Sequence, residues 1–262
     1  MWSYAWFCLV MVAQVMCGVK IPIPSLGNTR IIGGEEAPVG KFTYQVFISY
    51  SRGAYYPITC GGSIISKDYI VTAGHCVDDQ LILDPSTASV RIGSIFRTNG
   101  TRVKIEKVIR HPNFKRNSLD NDIAILKTTY EIEFNDNVKT IGLPSKGRTV
   151  EGEITVSGWG RVQLGEALIP MKLMYVSLPI LDFAKCEEIY GSLPDNVWCA
   201  GDNKIGGPSA CRGDSGGPAA QDDLLVGIVS WGEKCGVTGK PSVFANVASP
   251  SIRDFITEIT GL

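Results

Sequence analysis

The sequence predicts an all-β fold, two barrels or sandwiches followed by a C-terminal helix. Three observations predict it. Glycine supplies 29 of 262 residues, about 11% against a usual value near 7%, with no collagen-like period, so many tight turns must join short elements. Short apolar or alternating runs recur between Gly, Pro, Asn and Asp, the pattern of strands and turns. One strong helical period stands apart, at the end of the chain.

Taken in order, the first strand set is Tyr44–Tyr50, Ser63–Ser66, Tyr69–Thr72, Ser89–Ile92, Val103–Ile109 and Ile123–Lys127. Asn99-Gly100 is a hairpin-turn signal between two of these. The polar, turn-rich stretch Leu143–Glu151 divides them from a second set: Glu153–Ser157, Met174–Pro179, Asn196–Ala200, Leu224–Ser230 and Ser242–Val247. A short helix is predicted near Asp182–Tyr190. In the terminal helix Ser249 caps, Pro250 takes the first position and Gly261 stops it. Ile252, Phe255, Ile256 and Ile259 recur at i, i+3, i+4, i+7 and dock it on the body of the fold.

Met1 to Val19 carries no charge, and Ala5–Val15 is strongly apolar. This reads as a secretory signal over residues 1–18, cut after Cys17 or Gly18, although the usual positive start is missing. The competing reading, a signal-anchor helix, is weakened by Ser3, Gln14 and Gly18. Of 8 cysteines, the cut leaves Cys60, Cys76, Cys186, Cys199, Cys211 and Cys235. That even number suits a secreted, extracellular chain, and it permits 15 pairings.

Charge and histidine count exclude several function classes. With 25 basic against 26 acidic residues, there is no electrostatic motive for nucleic acid. With 2 histidines, a multi-histidine metal site is not expected.

Candidate chemistry begins at Gly213-Asp214-Ser215-Gly216-Gly217-Pro218, a serine between glycines, where a tightly turned backbone admits substrate. The hexapeptide also fits the nucleophile elbow of α/β-hydrolases, but there the base follows the serine. Here His75 and His111 both precede it, so that fold would have no base. His75 follows an apolar strand and adjoins Cys76, whereas His111 precedes Pro112 and reads as a solvated turn residue. Asp122 heads the run Ile123–Leu126 and can lie buried beside an imidazole, fixing its tautomer. The order His75, Asp122, Ser215 points to nucleophilic acyl transfer.

The chain resembles the chymotrypsin-like serine endopeptidases, the trypsin fold, over residues 31–262, and arthropod chymotrypsins in particular. The resemblance rests on Ile31-Ile32-Gly33-Gly34, Cys60-Gly61-Gly62-Ser63, Val71–Cys76, Asp120–Leu126, Ser157–Gly160, Gly213–Pro218 and Ser230-Trp231-Gly232. It implies two six-stranded antiparallel barrels, about 31–145 and 146–248, with a helix over 249–260.

By resemblance, Ser215 is the nucleophile, His75 the base and Asp122 its orienting carboxylate; the Gly213 and Ser215 N–H groups form the oxyanion hole. Residues 19–30 become a propeptide. A trypsin-like activator cuts after Arg30, and the freed Ile31 ammonium pairs with Asp214. The implied disulfides are Cys60–Cys76, Cys186–Cys199 and Cys211–Cys235. Gly74, where relatives carry Ala, is expected to loosen local packing.

The resemblance further implies that Ser209 occupies the primary specificity position, with Gly232 and Ser242 as pocket walls. Without a carboxylate at Ser209 the pocket suits Phe or Tyr rather than Arg or Lys. Ser242, where most relatives have Gly, leaves an elastase-like preference for smaller residues open. By resemblance, Ser230 and Gly232 are expected to pair with substrate backbone, and Leu119 and Trp231 to line neighbouring subsites. Tyr190 is a pocket-edge or packing residue, and Arg212 reads as a solvated surface charge in preference to a pocket-rim residue that favours acidic groups nearby.

The partners implied are protein or peptide substrates, the activator and proteinaceous inhibitors; a monomer is expected, off the membrane after signal removal. No metal, calcium included, and no cofactor is expected. Asn99-Gly100-Thr101 is a glycosylation acceptor sequence. The rival from another class is a non-catalytic homologue acting as a binding module.

Overall fold

The computed structural model describes residues 34–51, 57–161, 169–201, 209–233, 235 and 237–262. The expected signal and propeptide, Cys8, Cys17 and the Arg30–Ile31 junction lie outside the described residues.

Two curled antiparallel sheets make up most of the fold. The strands of the first are β2 (Gln45–Tyr50), β3 (Ile58–Ile64), β4 (Tyr69–Thr72), β5 (Ser89–Ile92), β6 (Thr101–Val103), β7 (Ile105–Arg110) and β8 (Ala124–Thr128). Their order is β6-β5-β2-β3-β4-β8-β7. Only Lys104 separates β6 from β7, yet Val103 pairs with Val90 of β5 while Ile105 pairs with Thr128 of β8. One bent strand therefore serves both edges, closing a six-stranded barrel and removing the open edges that invite aggregation. The sequence reads this segment as one strand, Val103–Ile109, because the bend carries no proline or glycine.

The second sheet contains β9 (Glu153–Gly158), β10 (Met174–Pro179), β11 (Val197–Ala200), β12 (Pro218–Gln221), β13 (Leu224–Trp231) and β14 (Ser242–Asn246). The two-residue strand β1 (Glu35–Glu36) adds to the outer edge of β10. A bridge between Ile180 and Ala200, with Leu181 N–H donating to Cys199 O at 2.8 Å, joins the end of β10 to β11. The expected two-barrel architecture with a terminal helix is the one observed.

Three local expectations need correction. Strand β3 starts at Ile58 rather than Ser63 and runs through Gly61 and Gly62. A Cβ on Gly61 would stand 2.7 Å from Gly217 Cα, so here glycine permits close approach inside a strand rather than a turn. Strand β12 has no counterpart among the expected strands, since Pro-Ala-Ala-Gln carries no β-branched or aromatic residue. Asn99-Gly100 does turn the chain, with Gly100 at φ +88°, but it closes the long connection 93–100 rather than a two-residue hairpin.

Three helices are described: α1 (Asp79–Leu83), α2 (Phe183–Tyr190) and α3 (Pro250–Thr260). Asp182 caps α2, its Oδ1 accepting from Ala184 N–H at 3.0 Å. Gly261 stops α3 in the left-handed conformation at φ +75°. Ser249 stands at the expected cap position, but its hydroxyl makes no bond to the helix.

The core explains the helix stripe. Ile252, Phe255 and Ile256 join the first barrel's cluster with Val46, Ile70, Val90 and Leu126. The second core stacks Trp198 on Phe244, ring centroids 4.5 Å apart, among Ile154, Met174 and Val229. Strand β13 is shared: Leu225 and Ile228 enter the first cluster, Val226 and Val229 the second. A strand buried on both faces reads as a continuous apolar run, as Leu224–Val229 does.

Candidate active site

His75 sits in a single 3₁₀ turn, Gly74–Cys76, directly after β4. The Cys60–Cys76 disulfide, Cα atoms 6.2 Å apart, ties that turn to β3. Gly74 leaves no slack. A Cβ there would stand 3.1 Å from Phe114 Cδ2 and 3.2 Å from both N and O of Ile123, so the expected loosening is corrected: glycine fits the gap that alanine would crowd.

Asp122 lies at the entry to β8, fully shielded from solvent. It accepts three hydrogen bonds. His75 N–H donates to Oδ1 at 2.8 Å, His75 Nδ1 meets Oδ2 at 2.8 Å, and Ser230 Oγ donates to Oδ2 at 2.5 Å. Gripping backbone and ring of one residue sets both the position and the tautomer of the imidazole: Nδ1 carries the proton, leaving Nε2 as the base. Ser230 comes from β13, so the second barrel helps hold a carboxylate of the first. The serine hydroxyl was not foreseen in this role, since nothing in Ser-Trp-Gly signals where it points.

The loop before Asp122 is also anchored. Leu119 and Asn121 take positive φ, 53° and 54°. Asn121 Oδ1 accepts from Ser251 Oγ at 2.6 Å and from Asn196 Nδ2 at 3.0 Å. The His111 ring packs tilted against Phe255, centroids 4.7 Å apart, and its Nε2 lies 3.3 Å from Ser251 O. It is 5% exposed, which corrects the solvated turn expected from Pro112: α3 covers it. Burial holds its pKa below the ordinary histidine value.

Ser215 is reached through a loop that two glycines allow to turn, Gly213 at φ +103° and Gly216 at φ +78°. A Cβ on Gly216 would stand 2.2 Å from Thr72 Oγ1, so the loop presses directly on β4. Gly61 N–H donates to Ser215 O at 2.7 Å, and Gly216 N–H to Val229 O at 2.8 Å. The nucleophile loop is thus held by a strand of each barrel. Among the described residues, neither the Gly213 nor the Ser215 N–H has an acceptor.

Asp214 is also fully buried. Its oxygens accept from Gly160 N–H at 2.7 Å and Cys211 N–H at 2.9 Å. Burial pushes its pKa up to about 6 against the pull of those two donors. Gly160 is an unforeseen supporter, and it must lack a side chain: a Cβ there would stand 2.2 Å from Asp214 Oδ2.

His75 and Ser215 line one cavity of about 470 Å³ together with Leu119, Ala210, Ser230, Trp231, Gly232 and Ser242. Ser209 is buried, 4% exposed. The Cys211–Cys235 disulfide, Cα atoms 5.2 Å apart, and Cys186–Cys199, at 6.1 Å, complete three bridges, paired as the resemblance implies. Tyr190 proves a packing residue, its ring 4.8 Å from Trp231 and its hydroxyl donating to Pro241 O at 2.6 Å. Arg212, expected as a plain surface charge, lines the same cavity, as does Arg161.

Residues 31–256 match the protein family described as Trypsin. Among similar proteins, Trypsin 5G1 of Aedes aegypti is 38% identical over 240 residues, 89% of this chain and 86% of the relative. Trypsin-1 of Astacus astacus is 37% identical over 228 residues, 83% and 95% of the two chains. Trypsin delta of Drosophila melanogaster is 34% identical over 251 residues, 92% and 95%.

Proposed function

The chain belongs to the trypsin family of serine endopeptidases, and from that premise we propose that it is a secreted, chymotrypsin-like enzyme made as a zymogen. The observation that carries the mechanism is the grip of buried Asp122 on both His75 N and Nδ1, in a cavity that Ser215 also lines. Ser215 Oγ attacks the scissile carbonyl while His75 Nε2 takes its proton. The Gly213 and Ser215 N–H groups receive the developing oxyanion. His75 returns the proton to the leaving amine, an acyl-enzyme forms, and water repeats the sequence to release the acid.

In this reading cleavage after Arg30 frees the Ile31 ammonium to pair with Asp214. An uncompensated buried carboxylate is costly, and a cation delivered to it orders the surrounding oxyanion loop. Peptide or protein substrates, a trypsin-like activator and proteinaceous inhibitors are the partners, and the working form is a monomer. Asn99, exposed in the 93–100 connection, is accessible as an N-glycan acceptor; loss of mass on enzymatic deglycosylation tests whether it is used.

Specificity goes to large apolar and aromatic residues before the cut. The relatives above are named trypsins, but a buried Arg or Lys needs a carboxylate partner, and Ser209, Ala210 and Ser242 offer none. Glu233, at the rim, is already paired with Lys240. Ser242 favours a second reading: its Oγ would lie 4.0 Å from a Cβ placed on Gly232, narrowing the pocket towards an elastase-like preference.

The protein cleaved after Arg30 is to be profiled on peptides differing only at the residue before the cut. Phe and Tyr leading support the first reading, and Ala and Val the second; Arg and Lys would refute the pocket argument. Failure of a serine-directed phosphonate to label Ser215 in cleaved, folded protein would sink the enzyme reading in favour of a binding module.

A further inference from the structure

We propose that Arg161 and Arg212 form a cationic pair at the leaving-group end of the cleft, selecting substrates with an acidic side chain just after the cut. The inference rests on the endopeptidase reading and adds a substrate class to it. The two residues are neighbours across chain segments, Arg161 N–H donating to Arg212 O at 2.8 Å. Both line the cavity that holds His75 and Ser215.

Neither guanidinium has a carboxylate partner among the described residues. The nearby acids are committed elsewhere: Asp214 is buried under the Gly160 and Cys211 N–H groups, and Glu233 pairs with Lys240. Away from the cleft Arg110 pairs with Asp79 at 3.0 Å and Arg148 with Asp222 at 2.8 Å, while Arg91 and Arg97 donate to the backbone carbonyls of Gly100 and Pro170. Two cations on adjoining residues do not complement one another, so the pair brings no stability to the folded chain by itself. A carboxylate arriving between them is its natural complement, since a guanidinium fork matches a carboxylate in two parallel hydrogen bonds. A cleft lined with one sign of charge also focuses its field on the incoming ligand.

The side of the cut follows from the order of segments across the cleft. Strand β13, proposed to pair with the residues before the cut, holds one flank of the nucleophile loop through Gly216 N–H and Val229 O. Gly158–Arg161 holds the Gly213 side of that loop: a Cβ on Gly213 would stand 3.0 Å from Gly160 Cα. A substrate paired with β13 before the cut and continuing past Ser215 to the Gly213 side would run towards Arg161, which lines the same cavity.

The test uses protein cleaved after Arg30 and peptides identical before the cut, with Glu, Gln or Lys at the first or second position after it. The Glu peptide should exceed its Gln counterpart in kcat/KM by about fivefold at low salt, the scale of partly exposed ion pairs. The ratio should fall towards one at ~0.5 M salt. In Arg161→Gln/Arg212→Gln the ratio should be one, and in Arg161→Lys/Arg212→Lys it should persist. Reading a ratio within each protein separates selection from general damage to the fold.

Turnover with a Glu-to-Gln ratio of one in the unaltered protein would overturn the proposal by itself. So would a preference that survives the double Gln variant, or a Lys peptide turned over as fast as its Glu counterpart. Absence of turnover on every peptide, with no phosphonate labelling of Ser215, would remove the endopeptidase reading and this inference with it.

Discussion

Asp122 and Asp214 are both fully buried, but the protein satisfies them differently. Asp122 takes three donors, among them the ring and backbone of His75 and a hydroxyl from β13. Asp214 takes two, both backbone N–H groups, and among the described residues it has no cation. The first arrangement locks geometry: each oxygen is aimed, and the imidazole cannot rotate without losing a bond. The second leaves charge outstanding, which is why burial raises the Asp214 pKa to about 6. Equal burial thus suits two roles, one carboxylate as a fixed orienting group and the other, in the proposed zymogen reading, as the receptor for the Ile31 ammonium.

The sharpest way to break this comparison is Asp122→Asn. Replacing the acceptor with an amide spoils the tautomer that Asp122 enforces, and kcat of the cleaved protein should fall about 10⁴-fold while the fold survives. A loss under about tenfold would mean that His75 is oriented by something else.

Next is the pH dependence that Asp214 imposes on the uncleaved chain. Its folded pKa, about 6, lies above the ordinary 3.8, so the folded state binds the proton more tightly. The associated stability is fully present below pH 3.8 and is lost as pH rises through 6, a change of about 3 kcal/mol. Denaturant unfolding of the uncleaved chain between those limits should show this slope, and Asp214→Asn should flatten it. Cleavage after Arg30 should flatten it too, because an ammonium partner lowers the folded pKa; an unchanged slope would refute the pairing.

Ser230→Ala tests the third donor on Asp122. It should cost about 1–2 kcal/mol in unfolding free energy and about a tenfold loss in kcat, smaller than Asp122→Asn because two donors remain. No change in either would reduce Ser230 to packing.

The smallest effect belongs to His111. Its folded pKa is lowered by burial, with Asp120 and Glu258 pulling the other way. It therefore contributes stability above the ordinary histidine pKa, lost as pH falls below it, the opposite sense to Asp214. Titration of its ring protons by NMR should give a midpoint below the ordinary value; one at or above it would show that α3 does not shield the ring.

Much of this was readable residue by residue. His75, Asp122 and Ser215 announce themselves through flanking residues, because a base beside a strand end and a serine between glycines are local features. Strands β4, β5 and β10 match their expected limits, since alternating or apolar side chains within one segment report one pleated surface. Strand β12 and the start of β3 escaped because their small residues are chosen by what lies opposite, Gly217 against Gly61 among them. His111 was misjudged for the same reason. Pro112 describes the local turn, while burial comes from Phe255 and Ser251, about 140 residues further along.

The sequence alone determined the fold class, the order of the candidate residues His75, Asp122 and Ser215, and the terminal helix, all encoded by periodicity or by residue types within a few positions of each other. Only the tertiary structure decided that one bent strand closes the first barrel, that β13 lends its faces to both cores, and that Ser230 supports Asp122. It alone set Arg161 beside Arg212. These are contacts between segments distant in the chain, and a side chain's partner across such a distance depends on register, twist and closure, none of which leaves a periodic trace in the residues themselves.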